Sequence, residues 1–96
     1  MDIREGKQIM KKCWRVNFEG SEIRVENTAF HGRLFVKGEL QDHAAGLASQ
    51  SVLWGRVPTA GGGVATVKVR LGGSVTITCD IFVDDHAIML SGKEVR

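Results

Sequence analysis

From Cys13 onward, apolar and polar side chains alternate residue by residue, the period-two pattern of a half-buried strand. In Cys13 to Phe18, Trp14, Val16 and Phe18 share one face, and Cys13, Arg15 and Asn17 share the other. Glu19-Gly20-Ser21 is a turn signal. Beyond it Ile23 and Val25 point one way and Glu22, Arg24 and Glu26 the other, so the two runs predict a hairpin. Asn27 to Gly32 reads as a connection. Arg33 to Val36 is a third strand, Lys37-Gly38 a turn, and Glu39-Leu40-Gln41 its return. Asp42 to Gln50 is the one stretch that leans helical. Its shortness and Gly46 predict a loop or a single helical turn.

The second half repeats the theme. Ser51 to Val57 is a strand, and Gly55 in its middle signals a bulge or a close backbone approach. Pro58 to Gly63 is a flexible loop with three consecutive glycines. Val64 to Leu71 puts Ala65, Val67, Val69 and Leu71 inward and Thr66, Lys68 and Arg70 outward. Gly72-Gly73 is the tightest hairpin signal of the chain. The last long strand is read from Ser74 to Val83, with Val75, Ile77, Cys79, Ile81 and Val83 on its inner face. Asp84-Asp85 turns the chain into Ala87 to Leu90, and Ser91 to Arg96 is a polar tail.

About seven to eight short strands, joined mainly by hairpins, predict an all-β fold: a small antiparallel β-sandwich or a partly open barrel. The organisation is a lead-in over residues 1–12, a single domain over 13–90 and a tail over 91–96. Two internal echoes accompany it. Val16 to Ser21 resembles Val69 to Ser74, and Leu34 to Gly38 resembles Ile81 to Asp85, as a duplicated hairpin unit would.

Composition narrows the setting. With 43% hydrophobic and 25% charged residues, the chain is built to bury a core. Its 13 basic and 11 acidic residues leave a net charge of +2, too balanced to demand a nucleic acid or an anionic membrane as partner. No segment is long and apolar enough to span a bilayer, and the first twelve residues carry no apolar signal core. A cytoplasmic protein with free Cys13 and Cys79 is therefore expected, the two thiols falling on opposite faces of their strands.

No cofactor or metal motif stands out. His31, His43, Cys79, Asp80, Asp84, Asp85 and His86 lack metal-ligand spacing, and Asp84-Asp85-His86 reads as a turn. Gly61-Gly62-Gly63 is not followed by the Lys-Ser or Lys-Thr of a phosphate loop. There is no nucleophile elbow. An enzyme would have to be thiol-dependent and use Cys13. Arg15, Arg24, Arg33, Arg56, Lys68 and Arg70 fall on outer faces, where cross-strand ion pairing is the simplest use for them. Trp14 belongs with the core. Trp54 shares a face with Val52 and Arg56, and core is the favoured reading for it over an exposed contact residue. The candidate binding residues are Trp54, Arg56, Arg24, Lys68 and Arg70, since tryptophan and arginine dominate interaction hot spots.

Trp14-Arg15-Val16, Glu22-Ile23-Arg24-Val25-Glu26, Gly32 to Gly38, Leu53-Trp54-Gly55 and the strands from Ala65 to Val83 together form an ordered pattern. It resembles the Fas apoptotic inhibitory molecule family of small β-sandwiches, with a W-x-V opening and repeated V-D-G-type turns. Lys37-Gly38 and Asp84-Asp85 stand where that family carries V-D-G turns. The resemblance spans roughly residues 13 to 90 and implies a role in protein interaction, with no catalytic motif to carry over. The functional expectation is a non-enzymatic sandwich that binds a protein or peptide through a sheet face or an exposed edge, with a homodimer through an edge strand as a further possibility. A small-ligand or carbohydrate site at Trp54 and Arg56 is the alternative.

Overall fold

A computed structural model describes residues 11–28, 31–45, 50–73 and 76–95. Among these residues nine strands follow one another: β1 (Lys12–Phe18), β2 (Ser21–Asn27), β3 (His31–Val36), β4 (Glu39–Ala45), β5 (Gln50–Pro58), β6 (Val64–Gly72), β7 (Thr78–Val83), β8 (His86–Leu90) and β9 (Lys93–Glu94). They form two antiparallel meanders, a four-stranded sheet in the order β1-β2-β3-β4 and a five-stranded sheet in the order β5-β6-β7-β8-β9. The protein is an all-β, two-sheet sandwich. No helix among the described residues is long and apolar enough to cross a membrane.

Alternation fills the core. Ile23, Val25 and Leu34 from one sheet meet Leu53, Val57, Val67, Val69, Cys79 and Ile81 from the other, all without solvent exposure. Trp14, Phe18, Ala44, Ile77 and Ile88 pack around this cluster. Burial on this scale is the main favourable term in folding a small domain.

Four of the hairpins use the same turn chemistry. Glu19-Gly20, Lys37-Gly38, Asp84-Asp85 and Ser91-Gly92 all have both central residues at positive φ, between 49° and 91°. This is the left-handed pair of a type I′ turn, whose twist matches that of the flanking strands. Asp84 and Asp85 show that a second glycine is not required, because aspartate tolerates this region better than most residues.

The two meanders share a register. Ile23 pairs with Val36 as Val67 pairs with Val83, and Val25 pairs with Leu34 as Val69 pairs with Ile81. Lys37 N–H donates to the Glu22 carbonyl at 2.9 Å, and Asp84 N–H donates to the Thr66 carbonyl at 2.9 Å. A bulge follows at Leu34/Phe35 in one and at Ile81/Phe82 in the other. The echo of Leu34 to Gly38 in Ile81 to Asp85 is thus structural. The echo of Val16 to Ser21 in Val69 to Ser74 is not, because the counterpart of β1 is β5 and β6 is the counterpart of β2.

Four readings of the sequence are corrected. Asp42 to Ala45 is strand, not loop or helical turn, because β4 pairs with β3 as far as Ala45↔His31; residues 46–49 lie outside the described set. Gly72-Gly73 is not a two-residue turn. β6 ends at Gly72, and Gly72 pairs with Thr78, the first residue of β7, so the link between the two strands is longer than two residues. Of the strand read from Ser74 to Val83, β7 covers Thr78 to Val83, and Ser74 and Val75 lie outside the described residues. Finally, the polar tail contains β9, where Leu90 pairs with Lys93 and Val95 N–H donates to the Ile88 carbonyl at 3.0 Å.

Candidate binding face on the five-stranded sheet

β5 sets the face. Leu53 and Val57 are fully buried, so the alternation sends Val52, Trp54 and Arg56 outward. Trp54 is 51% exposed and Val52 44%, which corrects the reading of Trp54 as a core residue. Gly55 explains why the inner side of β5 has no large side chain at that level. A Cβ there would lie 2.9 Å from Leu34 Cδ2 and 3.1 Å from Gln41 Cβ, so the two sheets approach closely at this glycine without a bulge in β5.

Register then assembles a ladder across three strands. Trp54 pairs with Lys68, and Lys68 with Phe82. The Lys68 ammonium lies 5.6 Å from the Trp54 ring, and the Arg70 guanidinium 5.3 Å from the Phe82 ring. Both are cation–π distances. Arg70 also donates to Asp80 Oδ2 from Nη2 at 3.0 Å, while Asp80 Oδ1 accepts from Ser91 N–H at 2.8 Å. Val64, 64% exposed, extends the same face along β6. Among the described residues, no carboxylate pairs with Lys68 or Arg56.

The free edge of β5 has two of its backbone donors capped by side chains of β4. Trp54 N–H donates to Asp42 Oδ2 at 2.9 Å, and Arg56 N–H to Gln41 Oε1 at 3.2 Å. Side chains of β4 thus satisfy backbone donors that an edge strand would otherwise offer to another chain. Beside this seam runs an open groove of about 310 Å³, lined by Val36, Lys37, Glu39, Gln41, Arg56 and Pro58.

Arg24 does not join the other four candidates. It lies on the outer face of the four-stranded sheet, over the Phe35 ring at 4.4 Å. Its Nε is 3.4 Å from Glu26 Oε2, close enough for an ion pair but without an aligned hydrogen bond. Nη1 reaches Glu22, which Arg15 also approaches, and Lys11 approaches Glu26. Alternation assigns a residue to a face but not to a sheet, which is why Arg24 was grouped with the others. The hydrophobic neighbours Val52 and Val64 were missed as site residues; their place beside Trp54 and Lys68 in the alternation was the available signal.

The two thiols have opposite surroundings. Cys13 is exposed on β1, opposite Glu26, and β2 offers no histidine beside it. Cys79 is fully buried, and burial, with a smaller contribution from Asp80, pushes its pKa up to about 12. A thiol held protonated in this way is not a nucleophile. Among the described residues, no group of three or more His, Cys, Asp or Glu side chains is placed to hold a metal ion. Asp84 spends its carboxylate on the sheet, accepting from Thr66 N–H at 2.8 Å.

The fold is an antiparallel two-sheet sandwich, and the outer face of its five-stranded sheet is amphipathic. Comparison with protein-family models, with curated proteins and with solved structures finds no match.

Proposed function

We propose that the protein is a non-enzymatic binding module whose partner, a protein or peptide, lies on the outer face of the five-stranded sheet. The observation that carries this reading is the half-exposed Trp54. It is held on the interior of a paired strand next to exposed Val52 and against Lys68. A rigid tryptophan offers a large contact area at little cost in conformational entropy, the profile of an interaction hot spot. The capped edge of β5 favours use of the face over strand addition at that edge. The resemblance to the Fas apoptotic inhibitory molecule family implies an interaction role of the same kind. Two unpaired cysteines suit a reducing, cytoplasmic setting.

The test is a selection from a displayed random-peptide library, followed by titration of the enriched peptides. Binding that falls at least about tenfold in Trp54→Ala, with an unchanged melting temperature, supports the reading. Enriched peptides that bind Trp54→Ala as well as they bind the parent would overturn it. A second reading is favoured by the groove beside Arg56: a small polar ligand or carbohydrate stacked on Trp54. A glycan array separates the two, since saturable, Trp54-dependent glycan binding with no peptide enrichment would select the second.

A further inference from the structure

The charges on the two outer faces differ in kind. On the four-stranded sheet, Arg15, Arg24 and Lys11 are matched by Glu22 and Glu26 in adjoining pairs, and Arg33 alone of its outward arginines meets a histidine, His31, in place of a carboxylate among the described residues. On the five-stranded sheet, Asp80 is committed to Arg70 and to the Ser91 N–H, and no carboxylate pairs with Lys68 or Arg56 among the described residues. Lys37 and the acidic Glu39 line the groove together with Arg56. Exposed Val52, Trp54 and Val64 lie between and beside these cations.

We infer that this face docks an acidic polypeptide segment that carries one apolar anchor side chain. The inference rests on the binding reading above and adds the chemistry of the partner. Its carboxylates complement Lys68 and Arg56, and its anchor covers Val52 and Trp54. Complementary charge steers the encounter and fixes orientation, while the desolvated aromatic contact supplies most of the affinity. Exposed aliphatic side chains contribute nothing to holding a phosphate backbone, so the surface favours a polypeptide over a nucleic acid.

Four fluorescent probes test this: Glu-Glu-Leu-Phe-Glu-Glu, Lys-Lys-Leu-Phe-Lys-Lys, an all-glutamate peptide and oligothymidylate. The acidic anchored peptide should bind tightest, and its affinity should weaken as ionic strength rises. It should lose about tenfold or more in Trp54→Ala and in Lys68→Glu. Lys68→Glu should in turn gain affinity for the basic peptide. All-glutamate should bind weaker, for want of the anchor. Equal binding of the basic peptide, or tighter binding of oligothymidylate, overturns the inference, as does failure of every probe to bind. The peptides selected from the random library separate this inference from the reading beneath it. If they require Trp54 but show no acidic enrichment, the partner chemistry is wrong and the binding face stands. If they are indifferent to Trp54, both fall.

Discussion

The two sheets are nearly the same object on the inside and different objects on the outside. Both are meanders with matched register, a bulge at the same place in the third strand and the same turn bond from Lys37 or Asp84. Yet on the outer face of the four-stranded sheet Arg15, Arg24 and Lys11 approach Glu22 and Glu26, Arg24 covers Phe35 and Arg33 meets His31, with Leu40 the exposed apolar residue beside Phe35. The outer face of the five-stranded sheet leaves Trp54, Val52 and Val64 in solvent beside Lys68 and Arg56, which have no carboxylate partner among the described residues. Inner faces are held alike by the demand for a filled core. Outer faces are free to diverge, so a difference there points to use. Ion pairs of the first kind contribute little to stability, generally under about 1 kcal/mol each, but they keep a flat sheet from sticking to others.

The largest effects should fall on what the sheets share. Leu34 and Ile81 occupy equivalent positions and are both fully buried. Leu34→Ala and Ile81→Ala should each cost about 2–5 kcal/mol in urea unfolding. A large inequality between them would show that the two meanders do not contribute equally to one core.

Gly55 breaks the symmetry, since its counterpart in the first meander is Val16. Gly55→Ala should destabilise by about 1–3 kcal/mol, because Leu34 and the Gln41 Cβ leave no room for a methyl group. A neutral result in the same unfolding assay would mean the sheets can part at this seam without loss.

The cysteines extend the contrast to alkaline pH. Cys79 is held protonated in the folded protein, from an ordinary 9.0 up to about 12, so the folded state keeps a proton that the unfolded state releases. Its contribution is complete below pH 9.0 and is lost as pH rises toward about 12, at up to about 1.4 kcal/mol per unit. Cys79→Ala should flatten this decline in urea midpoints, whereas Cys13→Ser, an exposed site, should leave it in place. In native protein a thiol reagent should modify Cys13 rapidly and Cys79 only on unfolding.

The smallest stability changes should come from the outer faces. Glu22→Ala and Trp54→Ala should each move unfolding by about 0.5 kcal/mol or less. Only Trp54→Ala should alter binding.

Much of this was legible in the chain. Strict alternation in Cys13 to Phe18, Val64 to Leu71 and Cys79 to Val83 placed their inner residues correctly, because one face of each strand is apolar. β4 was missed beyond Gln41 because its side chains serve β5: Gln41 and Asp42 cap backbone donors, so no apolar face marks the strand. Trp54 was misread for a related reason. With Gly55 as one of the inward residues, the inner face of β5 lost its bulk, and the outward Val52 and Trp54 looked the more core-like pair. β9 is two residues long, too short to show a period. Which outer face carries uncompensated charge depends on register between strands, which no single segment encodes.

The central claim is that the outer face of the five-stranded sheet, and not that of the four-stranded sheet, is the working surface. It is tested most directly by titrating isotope-labelled protein with a library-selected peptide and following amide and indole resonances. Shifts concentrated at the Trp54 indole, Val52, Lys68, Arg70 and Phe82 are the predicted result. Shifts centred on Arg24, Phe35 and Glu22, with the Trp54 indole unmoved, would contradict it.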